Sequence, residues 1–169
     1  MITMPFDIAM DENPLDAIEE HVQMNLDWHV TRINEHVMFV EVEAQSCRKY
    51  MVYLKWDEQT ASISMETVIN IHMHPQILTQ AHEILAEVNA NTWIGHFTLS
   101  EEKNQPVYRY TILTQFVPPH FMADYACDTV NGIMAECEKF NTTFEMLANE
   151  DTSIRDVLNV TLMKTAGQA

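Results

Sequence analysis

Glycine is nearly missing from this chain: there are three in 169 residues, with six prolines, no Ser- or Gly-rich run, no internal repeat and no low-complexity tract. A flexible linker between domains has nothing to be made from, and 169 residues at 47% hydrophobic content suit one compact core. The expectation is a single domain over 13–165, between flexible ends at 1–12 and 166–169. Basic residues are scarce as well, nine against 25 acids, for a formal net charge of −16. Such a surface repels phosphate backbones and anionic lipid, which argues against nucleic-acid and membrane partners. No apolar run approaches the ~18 residues of a membrane span, and the opening MITMPFDIAM has no basic n-region, so a soluble, unexported protein is expected. Cysteine is limited to Cys47, Cys127 and Cys137. An odd count at wide spacing makes neither a disulfide framework nor a zinc knuckle, and a cytoplasmic protein follows. In a helix over 118–148, Cys127 and Cys137 lie about 15 Å apart along the axis, beyond disulfide reach. The three thiols are expected as small buried hydrophobes.

The acidic surplus is unevenly placed. Residues 1–27 hold seven acids and no Lys or Arg, and residues 118–151 hold seven against Lys139 alone. Beyond solubility, an acidic surface of this kind attracts a basic protein segment.

Periodicity orders the elements. Asn13-Pro14 is an N-cap and N1 pair, followed by the apolar stripe Leu15, Ile18, Val22 and Leu26. Period two then takes over: a strand over 28–33, the turn Asn34-Glu35-His36, a strand through Met38, Val40, Val42 and Ala44, and another through Tyr50, Val52, Leu54 and Trp56. The longest alternation runs over 61–73, with Ile63, Met65, Ile69, Ile71 and Met73 on one side. Pro75 opens a helix with the stripe Ile77, Leu78, Ala81, Ile84, Leu85 and Val88. Strands over 92–99 and 106–116 follow, joined by a hairpin loop at 100–105. A long helix after Pro118-Pro119 carries Phe121, Tyr125, Val130, Ile133, Cys137, Phe140, Phe144 and Leu147 as its core stripe. Glu150-Asp151-Thr152-Ser153 caps a last helix to about Lys164. This order predicts an α+β fold, an antiparallel β-sheet with helices packed on one face. The opposite sheet face is then free for dimerisation or partner binding.

The pair His72 and His74 in INIHMHPQ is the sharpest candidate for chemistry, because His-x-His on an extended segment turns both imidazoles to one side. Both continue the polar row, facing away from the core, and two imidazoles leave zinc under-coordinated. No metal site, catalytic residue or cofactor site is assigned. His21, His29, His36, His82 and His120 are scattered and form no ligand-spaced set. Gly95 between Trp93 and Phe97 suits a place where another backbone or ring comes close. Arg109 is expected to pair with Glu101, Glu102 or an acid across the sheet, and the region is read first as a packed hairpin, with a ligand site around His96 and Arg109 as the alternative.

The run NANTWIGHFTL, then PVYRYTIL, then AECEKFNTTFEML resembles the YbjN-type family, described as bacterial sensory-transduction regulators, from about Pro14 to the C-terminal helix. The resemblance implies a fold similar to type III secretion chaperones, which are small, acidic, usually dimeric α+β proteins that hold segments of other proteins. It brings no catalytic residues. Three functions therefore compete. The first is a non-catalytic protein-binding or regulatory homodimer whose client joins Lys or Arg to apolar residues. The others are a small-ligand sensor with a pocket between sheet and helices, and a metal-binding protein using His72 and His74.

Overall fold

The computed structural model describes residues 13–149 and 152–166. The ends expected to be flexible lie outside them, except for Ala166, which closes the last helix. Helix α1, Pro14–Asn25, starts where expected: Asn13 Oδ1 accepts the Leu15 N–H at 3.0 Å, and Leu15, Ile18 and Val22 are buried. Strands β1 His29–Asn34, β2 Val37–Glu43, β3 Lys49–Asp57 and β4 Ser62–Val68 follow as a meander. A 3₁₀ turn, Pro75–Ile77, leads into α2, Leu78–Ala90. The hairpin β5 His96–Leu99 and β6 Pro106–Leu113 precedes α3, Met122–Ala148, and α4, Ile154–Ala166. The six strands form one antiparallel sheet in the order β1-β2-β3-β4-β6-β5. This is the expected α+β architecture.

Register explains why one face takes the helices. Val40, Val52, Thr67, Tyr108 and Phe97 stand opposite one another in a single row across five strands, and all are buried. In β3 the burial alternates residue by residue, with Tyr50, Val52, Leu54 and Trp56 inside and Lys49, Met51, Tyr53 and Lys55 outside. On that inner face the Phe97 ring meets Tyr108 at 4.9 Å, Phe144 at 5.2 Å and Phe140 at 5.7 Å, tying the hairpin to α3. Burying such a ring contributes about 2–3 kcal/mol. Along the same stretch of α3, Tyr50 Oη donates to Glu138 at 2.5 Å, and Arg48 reaches Glu138 at 3.5 Å and Glu145 at 3.2 Å. Burial raises Glu138, but its bonds from Ser46 and Tyr50 and the Arg48 charge outweigh that and hold its carboxyl low.

Five expectations are corrected. The strand expected over 61–73 ends at Val68, because β6 begins at Pro106 and offers no further ladder. Single bonds continue the line, Ile69 N–H to the Pro106 carbonyl at 2.8 Å and Met73 N–H to that of Asn104 at 2.9 Å, so burial still alternates. The strand expected over 92–99 begins only at His96, since Gly95 at φ 65° turns the chain. The strand expected to 116 stops at Leu113 and gives way to a 3₁₀ turn, Thr114–Phe116. Phe121 and Tyr125, assigned to the core stripe of α3, are exposed, Phe121 because it belongs to the 3₁₀ turn Pro119–Phe121 ahead of the helix. Cys127 and Cys137 are buried as expected, whereas Cys47 is exposed in a turn at φ 64°. At the start of α4, Ser153 Oγ accepts the Asp156 N–H at 3.2 Å; Glu150 and Asp151 lie outside the described residues.

Candidate functional site

The sheet has an unfinished end. In an antiparallel strand, residues alternate in the neighbour to which they turn their N–H and C=O. The Pro106 carbonyl bonds Ile69, on the β4 side, and the Gln105 carbonyl bonds Ser100, on the β5 side. Even-numbered residues of β6 therefore serve β4, and odd-numbered ones face β5. Arg109 pairs with His96, but β5 reaches no further, and no described strand lies beside residues 110–113 on that side. The N–H and C=O of Thr111 and Leu113 face this gap.

Three features fix where β5 stops. A Cβ on Gly95 would lie 2.5 Å from Tyr108 Oη and 2.6 Å from the Arg109 carbonyl, so only glycine fits; this is the close approach expected there. The hydroxyl of Tyr108 donates to the Ile94 carbonyl and fixes the bend. Lys139 Nζ donates to the Asn91 carbonyl at 2.7 Å, and Glu136 accepts the Trp93 N–H, so α3 holds the preceding loop. Burial raises the Glu136 carboxyl, with Lys139 and Trp93 offsetting part of the rise. Beyond β5 the edge is closed differently: the side-chain amide of Asn89 donates to the Phe97 carbonyl at 3.0 Å and accepts its N–H at 2.7 Å. One amide thus does there what a neighbouring strand would.

An apolar groove of about 500 Å³ runs beside the open stretch, lined by Tyr110–Leu113, Phe116, Val117, Pro118, Phe121 and Tyr125. Its rings stand in water: Phe116 is 75% exposed, Phe121 54% and Tyr125 40%, with Leu113 also exposed. Trp93, on the bent loop before β5, is 79% exposed. The hydroxyls of Tyr110 and Tyr125 meet at 3.4 Å, and this bond, with burial, raises Tyr110. The groove lining contains no charged residue. Two exposed carboxylates stand on the first turns of α3, Asp124 and Asp128, and Asp128 follows the groove residue Tyr125 by three, the spacing of surface neighbours on a helix. Asp124 also meets His21 Nε2 at 3.4 Å. Beneath them burial, reinforced by these two acids, pushes the Cys127 thiol up to about 11.

The outer sheet face is different in kind. Phe39 and Tyr53 pack at 5.6 Å beside exposed Met51 and Val68, over a shallow cavity of about 460 Å³. Its charges are mixed: Lys49 meets Glu41 at 3.4 Å, and Arg109 meets Glu66 at 3.6 Å, the cross-sheet option among its expected partners. His96 and Arg109 are register partners on this exposed face. His72 and His74 are both exposed beyond the end of β4, and His74 caps the following turn, its Nδ1 accepting the Gln76 N–H at 3.4 Å. Among the described residues no group of three or more His, Cys, Asp or Glu is placed to hold a metal ion. No helix among them is long and apolar enough to cross a membrane.

Asn89, Thr111 and Phe116 escaped the sequence reading. The signal for Phe116 was its setting, QFVPPHF, where two prolines leave aromatic residues no regular element in which to be buried. Among known proteins, the family model YbjN, "Putative bacterial sensory transduction regulator", matches residues 14–145. No curated protein and no solved structure matches the chain.

Proposed function

Since the chain belongs to the YbjN family, we propose that it is a non-catalytic regulatory module that acts in the cytoplasm by binding another protein, holding its segment in a chaperone-like manner. The carrying observation is the set of exposed rings, Phe116, Phe121 and Tyr125 with Leu113, gathered beside an unpaired length of strand. Apolar side chains so grouped gain by being covered. The unpaired thiols Cys47, Cys127 and Cys137 suit a reducing compartment.

The working unit is a homodimer through the outer sheet face. There Lys49, Lys55 and Arg109 alternate with Glu41, Glu43 and Glu66, so a second copy turned about a two-fold axis meets opposite charges around Met51 and Tyr53. Sedimentation at tens of micromolar tests this: a species near the chain mass of 19.6 kDa alone removes the dimer.

Capture from bacterial lysate on the intact chain and on a Phe116→Ser, Phe121→Ser variant tests the binding role. A protein held by the intact chain at both ~0.1 M and ~1 M salt, and lost by the variant, supports it, because apolar contacts survive when the Debye length falls from ~10 Å to ~3 Å. Retention of nucleic acid in preference to protein overturns it.

A further inference from the structure

Resting on the binding role just proposed, we infer that the open edge of β6 takes an extended, cationic peptide segment as an added strand, with residues 110–113 as its template. Three observations meet at this place. The backbone groups of Thr111 and Leu113 face a gap that β5 would fill if it ran four residues further. An exposed aromatic wall, Phe121 and Tyr125 on α3 and its approach, flanks the same gap, so every second side chain of an added strand meets a ring. Asp128 stands one turn from Tyr125 on α3, within residues 118–151, where seven acids face one Lys.

Charge selects the occupant. A second copy carries the same net −16 to an uncharged groove, whereas Lys or Arg flanking a short apolar stretch is drawn to the acidic surplus of residues 118–151 and reaches Asp128 beside Tyr125. The segment is extended because the template is a strand edge, and apolar at alternate positions because only its side toward α3 meets the rings. Loop 91–95, held by Lys139 and Glu136, keeps the lane clear.

The probe is a nine-residue peptide with apolar residues at alternate positions and two lysines at each end. Two controls accompany it, one with glutamates for the lysines and one N-methylated on alternate backbone nitrogens. With the intact chain, the lysine peptide is expected to bind and to slow amide exchange at Thr111 and Leu113 selectively. The N-methylated peptide should bind at least ~tenfold more weakly, about the value of one backbone hydrogen bond. Thr111→Pro should weaken the lysine peptide similarly while leaving the fold intact, because the N–H it removes faces the gap and not β4. The N-methylated control reads the reciprocal bonds, from peptide N–H groups to β6 carbonyls, on the unaltered protein. Equal binding of the lysine and glutamate peptides, indifference to N-methylation, or no protection at Thr111 overturns the inference. So does self-association that Thr111→Pro abolishes, which would give the edge to a second copy. A captured protein that still binds Thr111→Pro removes this edge as its site and leaves the binding role standing; absence of any captured protein removes the role itself.

Discussion

The two ends of the sheet are built to opposite rules. At β1 the edge is blunted: the ladder shifts between Arg32 and Asn34, and Arg32 turns to the helix side, where it meets Asp16 at 2.9 Å and Glu19 at 3.4 Å. The same guanidinium donates to the carbonyls of Asn34 at 2.7 Å and Glu35 at 2.9 Å, so the end of the strand is occupied by its own side chain. A bulge and an inward-facing charge are two ordinary means of stopping strand addition. At β6 neither is present: residues 110–113 run straight, uncharged and flanked by exposed rings. The contrast teaches that the bare edge is local and specific, because the same sheet blunts β1 with Arg32 and closes β5 with one asparagine.

The most damaging way to break the contrast is Gly95→Ala. The added methyl overlaps Tyr108 and the Arg109 carbonyl at a left-handed φ, and the expected loss is about 2–4 kcal/mol, read by urea unfolding. A wild-type midpoint would show that the bend before β5 relaxes freely. Next, Asn89→Leu strips the closure from β5. It leaves the Phe97 N–H and C=O without partners, for about 1–3 kcal/mol, with faster amide exchange at Phe97 and a new tendency to associate. Unchanged exchange at Phe97 would mean that the asparagine is dispensable to the edge. Arg32→Leu acts at the other end, with about 1 kcal/mol lost because Asp16, its nearer acidic partner, is largely solvated, but it should make β1 adhesive, seen as concentration-dependent light scattering. Smallest of all, Phe116→Ser should leave stability within ~0.5 kcal/mol, since the ring is mostly in water, while weakening partner capture. A large stability loss there would make the ring part of the core and not of a docking surface.

How far these regions could be read beforehand depends on what sets them. The period-two pattern of 37–57 specified β2 and β3 and their buried faces, because alternation and burial are the same physical constraint in a one-sided sheet. The run 61–73 kept its alternation past Val68 without keeping its ladder, since burial depends on the face turned inward and pairing on whether a neighbour is there. Trp93 to Phe97 looked like continuous strand for the same reason, yet Gly95 bends it around a tyrosine supplied thirteen residues later. The open edge was illegible: it is defined by where a neighbour ends and by an asparagine on a helix, neither of which leaves a periodic trace. Phe121 and Tyr125 matched the spacing of the buried stripe of α3 and fell outside it because Phe121 precedes the helix in a 3₁₀ turn and the first turns of α3 bury Met122, Ala126 and Val130 instead.

The asparagine that closes β5 also limits the valency of the molecule. Edge-to-edge growth into a filament requires two adhesive edges per copy, so that each unit receives a strand at one end and offers one at the other. Here, among the described strands, β1 is blunted by Arg32 and the middle of β5 is capped at Phe97 by Asn89, while the longest open lane runs beside four residues of β6. If a segment is added at β6 as inferred above, this asymmetry favours termination after one event, in a complex of fixed stoichiometry. An acidic protein with exposed aromatic rings can thus hold a sticky strand without becoming a fibre.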